Sequence, residues 1–256
     1  MTTSHTRFIA PLLALMLGAC LVSSSCTANE QPHQFAIGIE SEPERLDPLT
    51  IKNPKTFILS WQIYEGLLGL SEDGGIEPVL AERWETKDFR TWTFHLRKNV
   101  VFHASSIFGA PSKSRPVTAE DVLWSYTAFC SSGAYASFLL TDAVEGCAEY
   151  NAGNATSVIG LKALDDDTFQ VRLIKPEPFF LHRLTTPWIA VFPKEAVAPA
   201  FKDKWGLDFA VGTGPYRLKS ISSSEIIIER NDEYWDKSRM PSVPRLVYRV
   251  LKNDQI

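Results

Sequence analysis

The chain has 256 residues, of which 45% are hydrophobic and 22% charged, and its formal net charge is −4. This composition is ordinary for a globular protein. The mild acidity and the lack of a basic block give no reason to expect nucleic acid as a partner, or an electrostatic contact with a membrane surface.

The first residues are typical of an export signal. Arg7 precedes the apolar run Phe8–Leu17, which is too short to span a bilayer comfortably but suits the core of a signal peptide. The sequence Leu-Gly-Ala-Cys that ends at Cys20 resembles a bacterial lipobox. It implies that residues 1–19 are a lipoprotein signal peptide and that Cys20 carries the lipid.

Two alternatives to this lipidation site stay open. Cys26 is a rival acceptor, although Ser23 stands three residues before it, where a lipobox has an aliphatic residue. A plain secretory signal, with Cys20 incidental, is the other. Residues 20–34 are polar and suit a flexible tether, in which Cys26 would be a solvated free thiol.

Beyond the tether, helical and strand patterns mix without a regular βαβ repeat. The predicted elements, in chain order, are a strand at Phe35–Ile39, a helix at Lys55–Tyr64, a turn at Ser71–Gly75, and strands at Thr91–Arg97, Phe169–Leu173, Ile226–Ile228 and Leu246–Val250. This mixture favours an α+β fold, or an irregular α/β arrangement.

Two of these segments carry the clearest patterns. Within Thr91–Arg97, Trp92, Phe94 and Leu96 alternate with polar residues, which predicts a half-buried strand. Thr118 is placed to cap a helix whose first turn is acidic. One side of that helix should face a core, because apolar residues follow at helical spacing: Val122, Tyr126 and Phe129.

The cysteines also suggest a pairing. An exported chain meets an oxidising compartment, and the short separation of Cys130 from Cys147 makes these two the obvious partners. The alternative is two unpaired buried thiols, because the sequence gives no geometry.

No motif of known enzyme chemistry is present. The sequence has neither a G-x-S-x-G elbow nor an H-E-x-x-H pair. Gly212–Gly214 is not a dinucleotide loop, because Arg217 occupies the position of its third glycine. His95 and His103 fall in different predicted strands, and Asp165–Asp167 is most simply a solvated turn, so we expect neither a metal nor a cofactor.

Several motifs occur in a single order along the chain. They are Ser41–Pro48 (SEPERLDP), Tyr64–Leu68 (YEGLL), Leu80–Glu85 (LAERWE), Thr91–Arg97 (TWTFHLR), Val100–His103 (VVFH), Pro116–Val122 (PVTAEDV), Gly133–Leu139 (GAYASFL) and Gly212–Leu218 (GTGPYRL). This order resembles the extracellular solute-binding proteins, family 5, of ABC importers, which include the dipeptide- and oligopeptide-binding proteins. The resemblance covers nearly everything after residue 35.

The resemblance implies the first lobe of a periplasmic-binding-protein-like type II fold. Residues 35–65 and 194–256 would form the base of that lobe, and residues 66–193 a smaller inserted domain. The sequence stops at Ile256, where family members continue into a second lobe. We therefore expect that lobe to be missing here or supplied by a separate chain, and expect weak ligand binding without it.

The function implied is that of a substrate-binding lipoprotein of an ABC importer, for peptides, and not that of an enzyme. Its partners would be a peptide or other small solute, the permease subunits and ATPase, and the membrane through the lipid anchor, on the periplasmic or outer side. The alternative solutes are a nickel chelate, haem or an opine-like compound, because one fold serves them all. A non-transporting surface lipoprotein, an interaction module or a gene remnant stays open as well.

The same resemblance names candidate ligand-binding residues. Lys52, Asn53 and Pro54 follow the LDP motif and correspond to a segment that lies along the ligand; Lys52 replaces a glutamate there. Tyr135 corresponds to a ligand-facing tyrosine, and Thr186 to a histidine near the ligand. Each residue also has an alternative role without a ligand: a turn before a helix for Asn53 and Pro54, a loop aromatic for Tyr135 and a strand-end hydroxyl for Thr186.

Overall fold

A computed structural model describes residues 33–40, 45–109 and 113–251. The predicted signal peptide, Cys20, Cys26 and nearly all of the tether lie outside the described residues. Within them the strands are β1 (Gln34–Ile39), β2 (Leu68–Leu70), β3 (Ile76–Pro78), β4 (Ala81–Thr86), β5 (Thr91–Leu96), β6 (Leu161–Ala163), β7 (Thr168–Arg172), β8 (Tyr216–Ile221), β9 (Glu225–Arg230) and β10 (Arg245–Val250). The helices are α1 (Pro54–Ser60), α2 (Ala119–Phe129), α3 (Phe138–Thr141), α4 (Cys147–Asn151) and α5 (Phe180–Leu184).

One four-stranded sheet is built from both ends of the described chain. Its strand order is β1-β10-β9-β8, and β1 runs parallel to β10 while the other pairs are antiparallel. The predicted strand at Phe35–Ile39 is present, but Phe35 is 59% exposed, because β1 lies at the edge of the sheet. In the central strand β10, the neighbours Val247 and Tyr248 are both buried, so its apolar residues are not confined to one face as predicted.

A second four-stranded sheet comes from the middle of the chain. Its order is β4-β5-β7-β6, with every pair antiparallel. The alternation predicted for β5 is confirmed, because Trp92, Phe94 and Leu96 are buried. Phe94 and Phe169 are register partners in β5 and β7. A two-stranded hairpin, β2-β3, turns at Ser71–Gly75 as predicted. The mixed helix and sheet content agrees with the expected α+β class.

Helix α2 covers the second sheet. The carboxylate of Asp121 accepts from the backbone N–H of Thr118 at 3.0 Å, which places the predicted cap at the start of the helix. The three residues predicted to face the core are buried as expected: Val122, Tyr126 and Phe129. The end of α2 is joined to α4, because Cys130 and Cys147 form a disulfide with Sγ atoms 2.06 Å apart. The loop that this bond closes carries Tyr135.

Helix α1 is shorter than the sequence predicts. It ends at Ser60 rather than Tyr64. Past Ser60 the turn tightens, because the N–H groups of Gln62 and Ile63 donate to the carbonyls of Leu59 and Ser60, three residues back. The carbonyls of Gln62 and Ile63 accept from the N–H groups of Tyr216 and Gly214, each at 2.9 Å. These long-range bonds occupy the two carbonyls that a helix continuing past Tyr64 would need.

The glycines of the GTGPYRL motif make this contact possible. A Cβ on Gly212 would lie 2.1 Å from the carbonyl oxygen of Ile63, and a Cβ on Gly214 would lie 2.6 Å from that of Gln62. Only glycine allows the two backbones to come this close. The two glycines are therefore needed for the close packing of these two segments.

The ring of His103 is hydrogen-bonded to the same Gly212–Gly214 loop. Its Nε2 lies 2.8 Å from the carbonyl oxygen of Gly214, and its Nδ1 is 3.4 Å from the N–H of Gly212. The ring therefore donates through Nε2 and accepts through Nδ1, which requires the neutral form. Burial lowers the pKa of His103 to about 4.

We predict that His103 makes the fold sensitive to mild acid. An unfolded histidine has a pKa of about 6.5, so between that pH and about 4 the unfolded chain takes up a proton that the folded chain excludes. Stability is complete above the unfolded pKa and falls as the pH drops through this window. Between pH 7 and pH 5 the free energy of unfolding should fall by about 2 kcal/mol from this group.

Urea unfolding of the wild type and of His103→Gln at both pH values measures this contribution. The glutamine keeps a donor for Gly214 and does not titrate, so the variant should lack about 2 kcal/mol of the pH-dependent loss. Equal losses in the two proteins would show that His103 is not the group responsible.

Candidate functional site

Four aromatic side chains form a continuous row on the surface. The ring centroids of Trp61 and Phe57 are 5.4 Å apart, those of Phe57 and Trp188 are 4.7 Å apart, and those of Trp188 and Tyr135 are 6.1 Å apart. Phe57 lies in α1, and Trp61 is the first residue after this helix, four residues beyond Phe57. We call these four residues the aromatic row. Its two ends are the most open, with Trp61 47% and Tyr135 41% exposed.

A cavity of about 580 Å³ lies at the Tyr135 end of the row. It is lined by Arg45, Thr50, Lys52, Ser132, Gly133, Ala134 and Tyr135, and we call it the Tyr135 pocket. The backbone N–H of Tyr135 donates to the carbonyl of Leu49 at 2.7 Å. This bond holds the disulfide-closed loop against the segment that follows the LDP motif.

Asp47 shapes that segment. Its carboxylate accepts from the N–H of Leu49 at 2.8 Å and from the hydroxyl of Thr50 at 3.2 Å. Burial raises the pKa of Asp47, against the opposing effect of these donors. The turn they form sets the position of Lys52 in the pocket wall.

A second cavity, of about 550 Å³, lies at the Trp61 end. We call it the Trp61 pocket. Its lining includes apolar residues of β2 together with Trp61, Glu65, Glu77, His182, Thr185, Thr186 and Arg239. Glu77 is already paired, because Arg239 donates to its two carboxylate oxygens at 2.9 and 2.8 Å.

Glu65 is the most constrained polar residue of this pocket. Its carboxylate accepts from the hydroxyls of Tyr234 and Thr213 at 2.6 and 2.7 Å and from Nε1 of Trp235 at 2.8 Å. Burial raises the pKa of Glu65, which the three donors oppose. All three donors come from the last quarter of the chain, so the carboxylate joins two distant segments beside the pocket.

The structure gathers the five residues predicted from the resemblance near the row. Lys52 and Tyr135 line one pocket and Thr186 lines the other, while Pro54 begins α1 and Asn53 precedes it. The carbonyl of Asn53 accepts from the N–H of Phe57 at 3.0 Å. Their roles in ligand binding stay predictions. The sequence reasoning missed Phe57, Trp61, Trp188 and Glu65; only the spacing of Phe57 and Trp61, four residues apart, gave a signal.

A third cavity, of about 600 Å³, contains none of the predicted residues. It lies between α2 and β6, and Trp124 and Ile159 form part of its wall. Nε1 of Trp124 donates to Glu120 at 3.2 Å. This cavity supplies matched control positions for the aromatic row and for Glu65.

Two further features of the described residues bear on function. Over this part of the chain, no group of three His, Cys, Asp or Glu side chains is arranged to hold a metal ion. Among the same residues, we find no helix with the length and apolar character needed to cross a membrane.

The family model of the bacterial extracellular solute-binding proteins, family 5 (middle), matches residues 75–256. The chain belongs to this family. The chain is 34% identical to the periplasmic oligopeptide-binding protein OppA of Salmonella typhimurium, over 89% of its own length and 43% of the relative's. It is 31% identical to the oligopeptide-binding protein AmiA of Streptococcus pneumoniae, over 92% of its own length and 36% of the relative's.

Solved structures of peptide-binding proteins have a similar fold. The structure of Haemophilus influenzae OppA in complex with the peptide RPPGFSPFR matches with a TM-score of 0.73 at 29% identity, over 87% of this chain and 42% of that one. The murein tripeptide binding protein MppA of Escherichia coli matches with a TM-score of 0.73 at 25% identity, over 86% and 42%. The chain thus has the fold of part of a periplasmic peptide-binding protein, and spans less than half the length of these relatives.

We predict that Glu65 is needed for its acceptor oxygens rather than for its charge. Glu65→Ala should lower the free energy of unfolding by about 3 kcal/mol or more, because three donors lose their acceptor. Glu65→Gln should cost about 1 kcal/mol, since the amide oxygen still accepts from Thr213 and Trp235 and its nitrogen can donate to the Tyr234 oxygen.

Urea unfolding at pH 7 distinguishes the two variants, with Glu120→Ala as an exposed-carboxylate control that should change little. Equal costs for the alanine and glutamine variants would contradict this account of Glu65.

Proposed function

We propose that the chain is a peptide-binding component of an ABC importer and that its ligand lies extended along the aromatic row. The observation that carries this proposal is the continuous row between two pockets, because aromatic walls with roomy, hydrated pockets suit side chains of varied size. Membership of the solute-binding family supports a binding role rather than catalysis. Its relatives are oligopeptide-binding proteins, which supports a peptide ligand.

The dimensions of the site fit a short peptide. Each of the three ring-to-ring steps in the row is 4.7 to 6.1 Å long, so the row extends over about four or five residues of an extended chain at ~3.3 Å per residue. Cavities of about 580 and 550 Å³ at its ends have room for large side chains and water. The permease and ATPase are the partners that this role requires.

We predict that Tyr135→Ala weakens peptide binding about tenfold. Loss of an exposed aromatic anchor costs roughly 1 to 2 kcal/mol of binding free energy, and 1.4 kcal/mol corresponds to tenfold. Titration of the 15N-labelled chain with tri-alanine and tri-phenylalanine, followed through the tryptophan indole signals, detects affinities down to the millimolar range.

The matched control is Trp124→Ala, which removes an aromatic residue of similar exposure from the third cavity. It should bind both peptides as the wild type does. If Tyr135→Ala binds normally, or if the Trp124 variant loses binding, the aromatic row is not the peptide site.

We also propose that the chain is exported and held to the membrane by a lipid on Cys20. The support is the Leu17–Ala19 segment before this cysteine and the apolar run that precedes it. Expression of the full chain in a bacterial host with radioactive palmitate should label the wild type and leave Cys20→Ser unlabelled. Labelling that survives in Cys20→Ser but is lost in Cys26→Ser would move the anchor to Cys26.

A further inference from the structure

The third cavity, of about 600 Å³, lies outside the proposed peptide site and has two walls. One wall is a single stripe of α2, because its residues are three or four positions apart: Glu120, Leu123, Trp124 and Thr127. The other wall is the segment that runs from Thr156 into β6. The buried residues of α2 that face the core lie on another side of the helix, so the core does not account for an indole at position 124.

The second wall is held in place by backbone contacts. The N–H of Gly160 donates to the carbonyl of Glu145 at 2.8 Å, and the carbonyl of Gly160 accepts from the N–H of Arg172 at 2.7 Å. A Cβ on Gly160 would lie 2.6 Å from the carbonyl oxygens of both residues, so only glycine allows this approach. The N–H of Leu161 donates to the carbonyl of Val158 at 3.1 Å. A wall fixed in this way loses little conformational entropy when a ligand binds.

Trp124 offers the cavity an aromatic face. Its side chain lines the cavity and is 45% exposed. Its one polar group is already engaged, because Nε1 donates to Glu120 at 3.2 Å. What remains for a ligand is the ring itself, whose faces carry partial negative charge and attract C–H groups with partial positive charge.

The same cavity carries four hydroxyl groups. None of them forms a side-chain hydrogen bond to another described residue, and they belong to Thr127, Tyr150, Thr156 and Ser157. A wholly apolar ligand would displace water from these groups without replacing its hydrogen bonds, which is unfavourable. A ligand with several hydroxyl groups of its own replaces those bonds, because each hydroxyl both donates and accepts.

The charges around the cavity balance. Glu120 and Lys162 contribute one charge of each sign, and the guanidinium of Arg172 is paired with the carboxylate of Glu145. No excess of either sign is left to attract a charged ligand. A neutral ligand with an apolar face and several hydroxyl groups matches this wall in both shape and chemistry.

We infer that the third cavity binds a neutral carbohydrate, a pyranose of the glucose type whose hydroxyl groups are all equatorial. In such a ring the axial C–H bonds form an apolar face, which stacks on Trp124, while the hydroxyls project from the edge towards the polar groups of the wall. The cavity volume of about 600 Å³ falls within the range of small-ligand sites and has room for a disaccharide. This inference goes beyond the proposed function and does not rest on it, because the cavity shares no residue with the aromatic row.

The first test is titration of the 15N-labelled chain with cellobiose and with N,N′-diacetylchitobiose. Either disaccharide should shift the Trp124 indole signal saturably in the millimolar range, and Trp124→Phe identifies this signal by its loss. Sorbitol has hydroxyls without a ring face, and cyclohexanol has a ring with one hydroxyl, so neither should saturate the site. No response to either disaccharide, or an equal response to sorbitol or cyclohexanol, would overturn the carbohydrate site.

The second test separates aromatic stacking from apolar contact, with the backbone amide signals of residues 156–159 as the readout. Trp124→Leu should weaken disaccharide binding at least about tenfold, whereas Trp124→Phe, which keeps an aromatic face, should stay within about threefold of the wild type. Thr127→Val removes one hydroxyl from the wall at nearly constant volume and should cost about fivefold. Equal losses in the leucine and phenylalanine variants would contradict stacking on the ring.

The controls keep the two sites apart. Tyr135→Ala and Trp61→Leu should bind the disaccharides as the wild type does, and Trp124→Leu should bind tri-alanine as the wild type does, which also shows that this variant is folded. Loss of disaccharide binding in Trp61→Leu would place the sugar on the aromatic row and overturn the inference. Disaccharide binding without any peptide binding would keep this inference and reject only the proposed function.

Discussion

The close approach of the Ile63 carbonyl to the Gly212–Gly214 backbone is the constraint on which the rest of the structure depends. It brings the start of β8 to the turn that follows α1, and places Thr213 where its hydroxyl reaches Glu65 at 2.7 Å. His103 fastens the same loop through its ring. Because a Cβ would lie 2.1 Å from the Ile63 oxygen at Gly212, no other residue type fits without moving one of the backbones.

The candidate site follows from this junction. Trp61 projects from the turn at the end of α1, and Glu65 lies four residues further on, so both walls of the Trp61 pocket are positioned by the contact with Gly212–Gly214. The position of Tyr135 does not depend on this contact. It is held by the disulfide-closed loop and by the hydrogen bond from its N–H to the Leu49 carbonyl. Burial raises the pKa of Glu65. Ionisation of this carboxyl therefore lowers the free energy of unfolding as the pH rises above the usual range for glutamate.

Local patterns predicted β5 and α2 correctly, because alternation and helical spacing record which face of an element is buried. They also predicted the strand β1, but they failed at the end of α1, where the carbonyls of Gln62 and Ile63 bond to residues about 150 positions later. For the site, family resemblance pointed to Tyr135, Lys52 and Thr186, which the fold gathers around one row. Glu65 could not be found in this way, because its donors are 148 to 170 residues away in the sequence. Trp188 joins the row only through tertiary contact.

The central claim is that peptides bind along the aromatic row, and photo-crosslinking tests it most directly. A pentapeptide with a free amino terminus and benzoylphenylalanine at its centre is irradiated with the protein, and the crosslinked fragments are identified by mass spectrometry. The account predicts adducts in the fragments that carry Phe57 and Trp61, Tyr135 or Trp188, with loss of labelling when unlabelled peptide is added in excess. Competable adducts confined to fragments around Trp124 and Ile159 would place the binding site in the third cavity and contradict the account.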